Sequence, residues 1–405
     1  MKEIFYCRTL DKWEKNLHEL EQPRAVPIAR ILIEYPDSLY EEISDLRAVA
    51  RLSGIKQLGF ADTCRYSACA RDTRYSHSLD FAAKIDHIAQ THELEREKAV
   101  IAAMLHDIAS TPTSDSAAKG LDLRDEEQFE YVLGMYPETD EFLRKHSISK
   151  KEIINLVRGR DKSPLGQLVS SRNSIDVDRW AYVNNDASQL GLMPIAWIEN
   201  GVIDPFDYFT IQKGKVVFTD SKLVSQFLEK RVKMFEDVYR NSELMAKEAF
   251  LGQITKDLLE KEVITKDSIF RMVDDDFNFI IEKYGGEVGR KLFSFGGFTT
   301  YDAINASEKD VSDFLGQNTD RPFAVKNEGS TNPAVGTPVM IDNEVKTYKE
   351  WEPWHAQNLQ QRMSAWNHTI VYGYEDDRKL AEAVCKAKKH FGVPKETFSF
   401  PNRKH

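Results

Sequence analysis

Cysteine is scarce: Cys7, Cys64, Cys69 and Cys385 are the four in the chain, and no two form a C-x-x-C pair. That spacing suggests neither a zinc knuckle nor a disulfide framework and leaves reduced structural thiols as the reading. Also missing is any apolar run of the roughly 20 residues that a bilayer-spanning helix needs. The opening residues, MKEIFYCRTLDKWEKN, lack the apolar core of a signal peptide. The expectation is a cytoplasmic protein without a membrane partner. Basic residues are outnumbered, with 55 Lys and Arg against 65 Asp and Glu and a formal net charge of -10. Such a surface repels a polyanion on average, which argues against nucleic acid as a partner. The basic end, CKAKKHFGVPKETFSFPNRKH, reads as a solvated tail. No internal repeat is visible.

What is present is an ordinary soluble composition, 41% hydrophobic and 30% charged over 405 residues, long enough for two or three domains. From about residue 40 to 260 apolar residues recur at three- and four-residue spacings with few prolines, the pattern of helices. One interruption, YFTIQKGKVVFTD, puts β-branched and aromatic residues on both sides of Lys-Gly-Lys and reads as a hairpin. Helix resumes through SQFLEKRVKMFEDVYRNSELMAKEAFL. The stretch KNEGSTNPAVGTP, residues 326–338, is rich in turn formers and reads as an exposed loop. Beyond it VMIDNEVKTY and HTIVYGY resemble strands, and DRKLAEAVCKAKKHFG a helix stopped by glycine. The expected fold is mostly α, a helical core with a short β-hairpin, followed by a smaller C-terminal α/β part. The expected division is residues 1–255 and 256–405, the latter serving regulation or oligomerisation.

Within the helical part, EREKAVIAAMLHDIAS (residues 95–110) is an apolar helix that ends on His106 and Asp107. Burying an imidazole and a carboxylate without partners costs a few kcal/mol, so the pair demands company. Upstream, DTRYSHSLDFAAKIDHIAQ places His77, Phe81, Ile85 and Ile88 on one helical face, which turns His77 inward. Two inward histidines beside a carboxylate are the beginning of a metal shell. Downstream, NSIDVDRWAYVNNDASQLG carries Trp180, Val183, Ala187 and Leu190 on one face, with Asp178, Tyr182 and Asp186 at four-residue steps on another. A polar stripe that ends in acids suits a helix lining a cavity.

In order along the chain, GIKQLGF, TRYSHSLDFA, MLHDIA, SIDVDRWAYVNNDA and RVKMFEDVY resemble the elements of the HD-domain phosphohydrolases, in the branch of the deoxynucleoside triphosphate triphosphohydrolases (dGTPase-like). The hairpin before the last element sits where that branch has one. The resemblance spans residues 54–239. It implies an HD-domain core, a nucleotide substrate and homo-oligomeric assembly. It assigns the metal shell to His77, His106, Asp107 and Asp178, a set suited to Mn, Fe, Mg or Zn. It gives Arg74, Arg179 and Arg231 to the phosphates, Gln57, Tyr182 and Asp186 to the sugar, and Tyr239 to a stack against sugar and base. The implied reaction is metal-dependent hydrolysis of a (deoxy)nucleoside triphosphate to nucleoside and tripolyphosphate.

The pattern departs after the His-Asp pair. Where the family continues with Gly-His and a later histidine, this chain has Ala109, Ser110 and Asp115, and Asp125-Glu126 stands for a further His-Glu pair. Asp115 or Asp125 is the expected proton donor if burial raises its pKa. The alternatives are a phosphatase or phosphodiesterase acting on another nucleotide, and a nucleotide-binding sensor with weak catalysis. A sensor would use the Trp351, Trp354 and Trp366 segment as a contact, although core packing is the plainer reading of those tryptophans.

Overall fold

The computed structural model describes residues 39–60, 72–121, 123, 125–190, 192, 205–294, 297–328, 331–364 and 368–394. Helix α1 (Arg74–Thr91) starts where the Thr73 hydroxyl accepts the Ser76 amide and the Ser76 side chain returns the bond, a capping box. Its inward face is the one read from the sequence: His77, Phe81, Ile85 and Ile88 are all buried. Helix α2 (Arg96–Leu105) packs along it and buries every residue from Ala99 to Leu105. Fully burying a side chain such as Phe81 or Ile101 contributes about 1.5–3 kcal/mol, so this pair of helices anchors the core. Helix α3 (Val177–Gln189) begins at Asp176, whose carboxylate accepts the Arg179 amide at 2.8 Å.

The hairpin forms as read. Strands β1 (Phe209–Gln212) and β2 (Lys215–Phe218) pair antiparallel around Lys213 and Gly214, both left-handed. Helix α4 (Ser221–Met234) follows and runs into a single π-helical turn, Phe235–Tyr239. The continuous helix expected through residue 251 breaks there. The Asn241 side chain accepts the Glu243 amide at 3.1 Å and starts a new helix, α5 (Ser242–Glu260).

The C-terminal part adds a three-stranded antiparallel sheet in the order β3-β7-β4, with β3 at Phe298–Ile304, β4 at Phe323–Asn327 and β7 at Thr369–Tyr374. Helices α6 (Glu308–Asn318) and α8 (Arg378–Phe391) cover one face through Val311, Leu315, Leu380 and Val384. The other face packs on α5 through Phe298, Tyr372 and Phe250. Central strand β7 is covered on both sides, which is why HTIVYGY is apolar without alternation. Between β4 and β7, the segment VMIDNEVKTY is a hairpin instead of one strand. It comprises β5 (Pro338–Ile341) and β6 (Glu344–Thr347) about a left-handed Asp342-Asn343 turn. This hairpin extends the first one, Phe218 of β2 pairing parallel with Val339 of β5.

A correction follows for residues 326–338. The stretch is not an exposed loop: Ala334, Val335 and Thr337 are buried, and with Tyr348, Leu359 and Met363 the two apolar residues enter the same core as α1 and α2. Turn-forming composition measures backbone shape, and side-chain and backbone partners here supply the hydrogen bonds that let the segment go inside. Helix α7 (Pro353–Ser364) then lies against α4, where Arg362 pairs with both Glu229 and Glu236. Residue 255, the boundary expected from the sequence, falls inside α5. Trp351 packs on the core, Trp354 is 83% exposed, and Trp366 lies outside the described residues.

Gly59 adopts φ +51°, and a Cβ there would sit 2.3 Å from the Thr113 carbonyl oxygen. That oxygen has little room to retreat, because the Thr113 amide donates to Asp274 at 2.6 Å. Gly59→Ala should therefore lower the unfolding free energy by about 1–3 kcal/mol, measured by chemical denaturation.

Candidate metal centre

Three helices deliver four ligand-type side chains to one point. His77 comes from the first turn of α1, His106 and Asp107 from the end of α2, and Asp178 from the first turn of α3. Donor atoms of His77, His106 and Asp107 all lie within 4.8 Å of one another. Asp178 Oδ1 is 3.0 Å from His77 Nε2 and 3.6 Å from His106 Nε2, and Asp107 Oδ1 is 3.4 Å from His106 Nε2. Ligand bonds of roughly 2.1 Å put donors around one ion up to about 4 Å apart, the scale of the separations among His77, His106 and Asp107, with Asp178 beside them.

The surroundings favour such a cation. His106 donates Nδ1–H to the Ala103 carbonyl at 2.7 Å, which turns Nε2 toward two carboxylates. Burial works against a charged imidazole there, yet Asp107 and Asp178 push the His106 pKa up to about 9. Burial likewise opposes ionisation of Asp178, but His106 and His77 hold it well below the usual carboxylate range. Asp107 is lowered against its burial by Arg74 and the two histidines. Two carboxylates that stay ionised beside two imidazoles form a donor set for a divalent ion. Among the described residues, His77 Nδ1 is buried without a hydrogen-bond partner.

The cluster lies in a cavity of about 550 Å³. Gln57, Arg74, Asp115, Arg179, Tyr182, Asp186, Arg231 and Tyr239 also line it, so one space gathers residues scattered from 57 to 239. Asp178, Tyr182 and Asp186 do share a cavity-facing stripe, one helical turn apart, which places Asp186 about 12 Å along the helix from the ligand end. Burial raises the Asp186 carboxyl to about 7 against the pull of the Tyr239 hydroxyl, which donates to it at 2.6 Å. Among the described residues, Asp186 Oδ1 and Gln57 Oε1 are buried with no hydrogen-bond partner, two polar atoms suited to a ligand.

The three arginines differ. Arg74 is buried and tied to Asp107 at 2.9 Å, to Ser114 at 2.7 Å and to Asp115. Arg179 bonds the Ser171 and Ser174 carbonyls and pairs with Asp176. Arg231 is held by two uncharged oxygens, the Tyr182 hydroxyl at 3.2 Å and the Asn332 carbonyl at 2.6 Å. Asp115 departs from expectation. Its side chain is 57% exposed and ion-paired with Arg74, so it is not the buried carboxyl expected from the sequence. Asp125 starts the helix Asp125–Gly134, and its side chain lies outside the described residues.

Several participants have no local sequence signal. Ser114 and Thr113 are left-handed, a rare state for a β-branched residue, and the turn is clamped where Asp274 accepts the amides of Thr113 and Lys56. Arg51 fixes the same loop by donating to the Ile108 and Ser110 carbonyls. Glu248, Phe235 and Thr331 join the cavity wall from elements remote in sequence. Asp176, which the sequence reading passed over, is the one with a local signal: an acid standing at a helix start, three residues before Arg179.

Two outcomes are expected. Manganese should raise the midpoint of thermal unfolding of the wild-type protein by several degrees through binding to the folded state, and His77→Ala or His106→Ala should abolish that rise. Asp186 binds a proton in the folded protein at pH values where the unfolded chain has released it. Its contribution is therefore fully present below about pH 4 and lost as pH rises through about 7. Asp186→Asn should lose less stability than wild type between pH 5 and 8, by denaturant titration at each pH.

Comparison with known proteins places this geometry. Residues 74–187 match the model of the HD domain. Over 305 residues the chain is 25% identical to an uncharacterized protein of Methanocaldococcus jannaschii, a match that covers 68% of this chain and 62% of that relative. The chain thus spans less than two thirds of that relative's length. Among solved structures, a hypothetical protein from Aquifex aeolicus superposes with a TM-score of 0.62 at 20% identity, covering 85% of this chain and 95% of its own. A phosphohydrolase from Bacteroides thetaiotaomicron gives 0.64 at 17% identity, covering 84% and 96%. These two are likenesses of fold. Two histidines and an aspartate of the segment that matches the HD domain, His77, His106 and Asp107, converge as a ligand set.

Proposed function

We propose that the protein is a metal-dependent phosphohydrolase that cleaves deoxynucleoside triphosphates to nucleoside and tripolyphosphate. The observation that carries the reading is the convergence of His77, His106, Asp107 and Asp178 at the wall of a cavity large enough for a nucleotide. A divalent ion held there polarises a phosphoryl oxygen and lowers the pKa of water. Arg231 meets the phosphate chain with a charge that no contacting carboxylate cancels. Tyr182, Asp186, Tyr239 and Gln57 meet the sugar, where the edge-on Tyr182 and Tyr239 rings, 6.2 Å apart, restrict space beside the ribose. Asp186, held near neutrality by burial, donates or accepts a hydrogen bond to a hydroxyl without repelling the phosphates.

Attack of water on the α-phosphorus breaks its bond to the 5'-oxygen, which leaves as an alkoxide and takes up a proton. A positioned acid is worth about 10²–10⁴ in rate, and the exposed, ion-paired Asp115 is poorly suited to that task. Slow turnover follows from this arrangement.

A second reading has its own support. Arg74 and Arg179 are already paired with Asp107, Asp115 and Asp176, so less positive charge faces the cavity than three arginines suggest. That balance favours a nucleotide with fewer charges, hydrolysed to nucleoside and orthophosphate.

Incubation with each dNTP and dNMP in Mn, Fe, Mg or Zn, with products resolved by chromatography, separates the two readings. Tripolyphosphate with nucleoside supports the first, orthophosphate from monophosphates the second, and unchanged substrates with every metal exclude both. Arg231→Ala is expected to raise KM for the triphosphate about tenfold or more, the scale of one hydrogen bond to a charged group.

A further inference from the structure

We propose that Asn332, from the C-terminal part, is the positioning residue that holds Arg231 ready for phosphate; this inference rests on the phosphohydrolase reading above. Arg231 is 4% exposed, and a long side chain in a cavity has many rotamers to lose on binding. Two contacts remove that freedom beforehand. Nη1 donates to the Asn332 carbonyl at 2.6 Å and Nε to the Tyr182 hydroxyl at 3.2 Å. Among the described residues Nη2 has no hydrogen-bond partner and is left for an anionic oxygen.

The carbonyl can do this only if its own direction is fixed, and the asparagine side chain fixes it. Oδ1 accepts the Ala334 amide at 2.8 Å and closes a turn in which Ala334 is left-handed. Nδ2 donates to the Arg172 carbonyl at 2.9 Å and to Asn173 Oδ1 at 2.8 Å. Residues 172–173 lie just before α3, the helix that supplies Asp178 and Tyr182. The same clasp is closed again by Thr337, whose hydroxyl accepts the Ile175 amide at 3.0 Å and donates to the Ala334 carbonyl at 2.7 Å. Gly336 lies so close that a Cβ would meet the Asn173 carbonyl at 2.8 Å. One residue therefore ties Arg231 on α4 to the loop that launches α3, across more than 150 positions of sequence. Asn332 is itself exposed, so its substitution leaves the core intact.

The test uses the full-length, manganese-loaded protein, with calorimetric binding of inorganic tripolyphosphate and steady-state kinetics on the dNTP that wild type hydrolyses. Asn332→Ala should weaken tripolyphosphate binding and raise KM by about five- to thirtyfold, with kcat changed less than about threefold. Asn332→Ser, whose hydroxyl can close the same turn, should recover most of the affinity. In an Arg231→Ala background Asn332→Ala should add less than about twofold, because the two act through one contact. Undiminished binding and KM in Asn332→Ala, or an equal loss in the Arg231→Ala background, overturns the proposal while leaving the phosphohydrolase reading in place. A wild-type protein that neither binds tripolyphosphate nor turns over any dNTP overturns the underlying reading, and this inference with it.

Discussion

Two imidazoles and two carboxylates pressed within a few ångströms of each other, at three helix ends, are tolerable only around positive charge. The carboxylates of the buried Asp107 and the partly buried Asp178 stay ionised, and the His106 imidazole pKa is pushed up to about 9 between them. Much else in the fold serves that constraint. Helix α1 is capped so that His77 faces inward, α2 stops at His106, and α3 begins so that Asp178 falls in its first turn. Moving any of the three ends by one residue would rotate its ligand by about 100° and remove it from the cluster.

Around this point the protein uses arginine for architecture. Arg51 and Arg74 tie the loop after the His-Asp pair into place, and Asp274 accepts two of its neighbouring amides from the far side. The left-handed Thr113 and Ser114 are held by these contacts, which present the Ser114 hydroxyl to Arg74. Strain of this kind persists where neighbours over-determine it. The loop after the His-Asp pair is thus a clamped structure with its own hydrogen-bond logic.

The C-terminal part is continuous with the site. Its hairpin extends the first hairpin as one sheet, its helix α7 grips α4 through Arg362, Asn332 reaches the cavity arginine Arg231, and Thr331 accepts from Arg240. Arg240 and Arg231 both lie over the Phe235 ring, where the π-helical turn brings Phe235 and Tyr239 to the cavity together.

The chain's local order determined a good deal alone. The spacing of His77 with Phe81, Ile85 and Ile88, the His106-Asp107 helix end, the Asp178-Tyr182-Asp186 stripe and the Lys-Gly hairpin were all legible, because each is a period or a turn written in neighbouring residues. Tertiary structure alone decided which charges are spent. Nothing beside Asp115 in sequence says that Arg74 will pair with it, and nothing near Ala334, Val335 or Thr337 says that this turn-rich stretch will be drawn inside. Local pattern reports how a residue is oriented on its own element. The burial and pairing of a charge depend on which other elements arrive around it, and those come from hundreds of residues away.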